Sequence, residues 1–226
     1  MLSTRLFGPE YASMPGCVLV PEASIWRHRF GGTSWKVIDP KPILDGPALL
    51  LVLDLSDPLL DAFGLSGFEL PLCTYLNCDV WAHDQTYSVR YASKEVVMTR
   101  RVQVRVNELP PAHRLPNPLP ERPVSLRPMT PKEYPVDEQA YWDTCDRFLG
   151  GSNFVRIGRL PLWLQGPTDV RCDCGREMMF IAGLGYENPG SRSVLLESSM
   201  LFLGEGAIYF FFCRECSAMR CIFQSA

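Results

Sequence analysis

Two close cysteine pairs, Cys172-Asp173-Cys174-Gly175 and Cys213-Arg214-Glu215-Cys216, stand roughly forty residues apart in a chain of 226 residues. Each pair can offer two thiolates toward one point, and soft thiolates suit tetrahedral zinc. Gly175, directly after the second ligand, favours a tight turn. Cys172, Cys174, Cys213 and Cys216 are therefore the candidate ligands of a structural zinc site. The first pair has a single intervening residue where two to four are usual, so buried or merely adjacent thiols, oxidised in pairs, are the competing reading. Four thiolates leave no open position for water, which argues against a catalytic metal.

The remaining reactive residues lack motif partners. Met219, Cys221 and Phe223 alternate as one strand face, so Cys221 reads as core. Cys73, Cys78 and His83 could be imagined as a second metal site, but strand alternation puts the two cysteines on opposite faces. Cys17 and Cys145 read as small core residues. His28, His83 and His113 are the three histidines, and none has a partner at the spacing of a metalloenzyme motif. Gly64-Leu65-Ser66-Gly67 lacks the flanking pattern of a nucleophile elbow and reads as a turn. Gly183-Leu184-Gly185 with Gly190 reads as a loop, not a phosphate cradle, because Asn188-Pro189 interrupts it. Asp54, Asp57 and Asp61 could include an acid–base pair, although capping and surface roles are commoner. The expectation is a non-enzymatic protein, with an enzyme of unrecognised site as an alternative.

Composition supports a globular chain: 46% hydrophobic residues, a formal net charge of -3 and an isoelectric point near 5.7. In residues 151–226 arginines and acidic residues balance and lysine does not occur. The basic face of a nucleic-acid binder is not evident. The N-terminus breaks at Gly8-Pro9 before a signal-peptide core develops, and the longest apolar runs, 48–53 and 207–213, are far below the roughly 20 residues needed to span a bilayer. They read as buried strands. An odd cysteine count of nine without a secretion signal favours reduced thiols in the cytoplasm.

Positioning elements follow from periodicity and punctuation. Nine of the 20 prolines fall between Pro110 and Pro135, too dense for a helix or a central strand. The chain thus divides into a β-rich part at 1–108, a Pro-rich connecting segment at 109–135 expected to lie extended against the surface, with a purely flexible linker as the alternative, and a helix plus β-rich part at 136–226, which can still pack as one domain. Strands are expected at 48–55, 68–81, 87–91 and 96–106, with a short helix between the first two, opened by Ser56-Asp57-Pro58 and closed by Gly64. A helix is expected over 135–150, with Val136, Ala140, Cys145 and Phe148 or Leu149 on one face. Strands follow at 154–157, 160–164, 177–182, 194–203, 207–212 and 219–223. The fold class is β-rich α+β: two strand-rich halves with short helices, room for a diverged duplication, and a zinc-ribbon-like element in the C-terminal half.

The segment Arg156-Ile157-Gly158-Arg159-Leu160-Pro161-Leu162-Trp163-Leu164-Gln165, then Cys174-Gly175 and Met178-Met179-Phe180-Ile181, resembles the YwqG-like family, a broad bacterial family of largely unknown function. Ala207 to Cys213 looks like the strand near the end of that family, and Leu49 to Asp57 like its earlier apolar strand. Arg159 stands where the family has a second Gly, and the first cysteine pair is one residue short. The resemblance implies a β-rich α+β fold and transfers no catalytic residues. Relatives of this kind look like immunity proteins, which bind and block a cognate bacterial toxin. The expected function is therefore a protein-binding inhibitor of a toxin, and an acidic face would suit a basic nuclease. A zinc-stabilised housekeeping or adaptor protein is the alternative. Trp26, Trp35, Trp81, Tyr87 and Tyr91 are candidate interface anchors that could equally be core. The partner expected is a protein, not nucleic acid or membrane.

Overall fold

A computed structural model describes residues 16–65, 68–77, 84–102, 114–151, 154–158, 160–187, 195–196 and 206–225. In chain order the strands are β1 (Gly16–Val20), β2 (Arg29–Phe30), β3 (Lys36–Ile38), β4 (Ala48–Asp54), β5 (Glu69–Thr74), β6 (Gln85–Arg90), β7 (Glu95–Arg101), β8 (Arg122–Pro123), β9 (Ser125–Pro128), β10 (Val155–Gly158), β11 (Met179–Leu184), β12 (Gly206–Cys213) and β13 (Ala218–Ser225). A 3₁₀ helix spans Pro58–Phe63, a 3₁₀ turn spans Pro131–Glu133, and helix α1 spans Glu138–Phe148.

Among the described residues the strands form a nine-stranded sheet, ordered β3-β7-β6-β13-β12-β11-β10-β1-β9, and a four-stranded sheet, ordered β5-β4-β2-β8. Strands from both sides of the Pro-rich stretch share the larger sheet. The junction is β6 against β13, with Tyr87 opposite Met219, and β1 lies between β10 and β9. The Pro-rich segment itself supplies β8 and β9, each at a sheet edge. An edge strand needs only half its backbone groups paired, so prolines are tolerated there and not in the centre.

β12 explains how two cores form on one sheet. All eight of its residues are buried, and successive side chains alternate between faces. Ile208, Phe210 and Phe212 enter the main core with β4, β5 and β6. Ala207, Tyr209, Phe211 and Cys213 enter a second cluster that α1 covers with Tyr141, Cys145 and Phe148. The apolar run of β4 is likewise buried throughout.

Local signals place the short elements. Asp57 accepts the Leu59 amide at 2.9 Å and opens the 3₁₀ helix, and Gly64 closes it at φ 56. Asp137 caps α1 by accepting the Ala140 amide at 2.8 Å. Val136 therefore precedes the helix and is 61% exposed, off the expected buried face.

The strand expected at 160–164 does not form. Side chains satisfy its backbone instead: Gln224 Oε1 accepts the Leu164 and Gln165 amides at 2.9 and 3.1 Å, and Tyr141 donates to the Trp163 carbonyl at 2.8 Å. The strand expected at 177–182 starts later, at Met179, because Glu177 instead forms an isolated bridge with Arg171. Of the strand expected at 194–203, only Leu195 and Leu196 are described, both buried. Of the strand expected at 96–106, residues 103–106 lie outside the described residues, and Val102 is 41% exposed beyond the end of β7.

Candidate metal centre

Each cysteine pair sits in its own turn. Around the first, the Cys172 amide donates to the Arg176 carbonyl at 2.9 Å, and the Gly175 amide returns to the Cys172 carbonyl at 2.8 Å. Met178 and Val170 extend the pairing below. Gly175 has φ 85, a left-handed conformation that explains glycine directly after the second cysteine. The second pair lies where β12 turns into β13. Cys213 is the last paired residue opposite Ala218, and Ser217 completes the turn at φ 47.

These two turns bring all four sulfurs within 4.8 Å of one another, with Cys174 and Cys213 at 3.8 Å. Sulfurs placed tetrahedrally at about 2.3 Å from one zinc are about 3.8 Å apart. A disulfide would need about 2.05 Å, and every described cysteine is a free thiol. The spacing fits a metal tetrahedron far better than either oxidised pair. The single-residue gap in the first pair is accommodated because the turn continues through Gly175 before the chain pairs again.

Electrostatics point the same way. The Arg176 amide N–H bonded to the Cys174 sulfur draws that thiol down to about 7. Burial raises Cys172, and hydrogen bonding with the Cys174 and Cys172 sulfurs pushes Cys216 up to about 12. Four neighbouring sulfurs cannot all ionise beside one another without a cation, and a zinc dication would supply that compensation. The shell would then be closed, so its chemistry is to hold the two turns together. Cys172 and Cys213 are buried in the second core, whereas Cys174 and Cys216 are exposed.

No family model, curated protein or solved structure matches this chain.

Charged residues around the centre tie it to distant elements. Arg176 lies 3.3 Å from Glu215 and links the two cysteine turns. Arg220 donates through Nε to Asp84 at 2.7 Å and through Nη1 to the Arg171 carbonyl at 2.8 Å. Arg100 reaches Asp173 at 3.5 Å. Arg214 donates to the Phe63 carbonyl at the end of the 3₁₀ helix. No spacing rule identifies these partners from sequence, since each pair is distant along the chain.

The other candidates separate clearly. Cys221 is buried and donates to the Thr74 hydroxyl at 3.4 Å, away from the cluster. Cys73 is fully buried in the main core, while Cys78 and His83 lie outside the described residues. Cys17 and Cys145 are buried. Gly183 belongs to β11, and the Gly185 amide donates to the Phe154 carbonyl at 2.7 Å, so this glycine pair finishes a strand. Asp54 accepts the Arg27 and Ser56 amides at 2.9 and 3.1 Å, a local structural role. Among the anchor candidates Trp35 and Tyr87 are core residues, Trp26 and Tyr91 are partly buried, and Trp81 lies outside the described residues.

Proposed function

We propose that this chain is a non-enzymatic protein-binding module, fastened by one structural zinc ion in a zinc-ribbon-like pair of turns, and that it inhibits a cognate bacterial toxin. The zinc-fastened scaffold rests on one observation, four cysteine sulfurs within 4.8 Å of one another. A closed thiolate shell stabilises shape and leaves no position for substrate.

Several buried carboxylates support a binding role over catalysis, because they are used to hold backbone or a partner side chain. Asp57 and Asp54 organise the 3₁₀ helix and its approach. Asp39 receives both Tyr75 and Arg101 at 2.6 Å. Glu133 holds the Thr130 amide at 2.6 Å. On the outside, Val136, just before α1, is 61% exposed and Trp142, midway along α1, is 41% exposed, and both could anchor a partner.

The toxin assignment comes from the YwqG-like resemblance over about residues 153–216. Coexpression with the adjacent reading frame, followed by copurification and a survival assay, tests it. We expect a stable complex and loss of survival when the gene is deleted. Survival unchanged by deletion, with no complex retained, overturns the inhibitor reading and leaves the zinc scaffold to its own test.

A further inference from the structure

The four sulfurs are not equivalent. Cys172 and Cys213 are buried against the second core, while Cys174 and Cys216 open to solvent. Cys174 combines exposure with a buried sulfur, that of Cys213, only 3.8 Å away. Those two residues also belong to different turns, so a bond between them would join the same two parts of the chain that a metal joins.

We infer that the centre is a peroxide-sensitive clasp, in which oxidation links Cys174 to Cys213 and releases the metal. This rests on the zinc reading above. The Cys174 sulfur attacks one peroxide oxygen, the O–O bond breaks, and Cys174 becomes a sulfenic acid as hydroxide departs. The Cys213 sulfur then attacks Cys174, forming the S–S bond and expelling a second hydroxide. Two thiolates have lost two electrons, one peroxide has been reduced, and two protons convert the hydroxides to water.

Closing the sulfurs from 3.8 Å to about 2.05 Å needs a movement of under about 2 Å. Zinc is left with Cys172 and Cys216 alone, half its shell, and dissociates. Because the new bond spans the same two turns, the oxidised chain keeps them tethered, and reductant with zinc restores the original centre.

The test uses the full chain purified under reducing conditions with zinc present and then freed of reductant. Hydrogen peroxide is titrated while a chelating dye reports released metal and peptide mass spectrometry maps sulfur bonds. The expected result is about one zinc released per peroxide consumed, a Cys174–Cys213 disulfide, and recovery of bound zinc after reductant and zinc are added. Zinc retained with unmodified sulfurs under excess peroxide overturns the clasp alone. Release with a different disulfide, or with only sulfinic or sulfonic acids, also overturns it. A chain that carries no zinc before peroxide overturns both the clasp and the zinc reading.

Discussion

His28 and Asp57 form a buried pair, with the ring Nε2 2.9 Å from Asp57 Oδ2 and side-chain exposures of 0% and 2%. The Asp54 amide donates to His28 Nδ1 at 3.0 Å. Nδ1 is thereby an acceptor, so the ring proton sits on Nε2 and is donated to the carboxylate. The same Asp57 caps the 3₁₀ helix through its other oxygen. The His28–Asp57 pair thus joins the residue before β2, the end of β4 and the helix that contacts Arg214.

Removing it should be costly. Asp57→Ala deletes both the cap and the buried acceptor and is expected to destabilise the fold by roughly 2–4 kcal/mol. Asp57→Asn retains a capping oxygen and should lose less. Urea unfolding of the two variants checks the order, and equal stability of Asp57→Ala and wild type would refute the role assigned to the pair.

Zinc content gives a second prediction. Elemental analysis should find about one zinc per chain, a stoichiometry set by the closed four-thiolate shell. Replacing Cys213 and Cys216 together by Ser should abolish binding. If the lost zinc contributes a few kcal/mol, the thermal midpoint should fall on the order of 10 °C. A metal-free protein whose midpoint ignores these changes would remove the site.

A pH dependence follows from Glu133. Its bidentate Arg127 partner, with the Thr130 amide and hydroxyl, holds the carboxyl at about 2 against an ordinary 4.5. A depressed folded value means that the stabilisation is complete above the unfolded pKa and is lost as pH falls from about 4.5 toward 2. Arg127 is 43% exposed, which screens the pair. Glu133→Gln should therefore cost roughly 1–2 kcal/mol near neutrality. The difference from wild type should shrink as unfolding is measured at pH 4, 3 and 2.5, and a constant difference would contradict this assignment.

Gly185 provides a steric test. A Cβ there would lie 2.3 Å from the Phe148 carbonyl oxygen, a backbone atom at the end of α1. Gly185→Ala should destabilise the chain by about 1–3 kcal/mol as the helix end is displaced. Gly175→Ala offers the contrast: open space surrounds its added methyl, and only the positive φ of 85 opposes it. It should cost about 1 kcal/mol. Chemical denaturation of both, with zinc saturating, distinguishes a clash from a conformational penalty.

Several features were legible because their causes are local. Asp57, Pro58 and Gly64 bracket the 3₁₀ helix through contacts within a few residues. The runs at β4 and β12 are apolar on both faces and are buried on both. By contrast β2 and β8 contain two residues each, too few for any periodicity to register. β9 hides among prolines because an edge position removes the penalty that makes proline a strand breaker elsewhere. The segment at 160–164 has the composition of a strand, but Gln224, Tyr141 and Tyr209, distant in the chain, claim backbone groups of Leu164, Trp163 and Leu162.

The amino-acid sequence by itself determined the two close cysteine pairs and the glycine that the first turn requires, because turn geometry depends on adjacent φ and ψ and on side chains a few bonds away. It also determined that the central strands are buried. Whether the two pairs meet is a different kind of question. It depends on β13 pairing with β6 as well as β12, on Arg220 reaching Asp84, and on Arg176 reaching Glu215. Those contacts join residues far apart in the chain, and their free energy appears only when the whole sheet is assembled. Tertiary structure alone therefore decided that four sulfurs share one point, and which two of them face water.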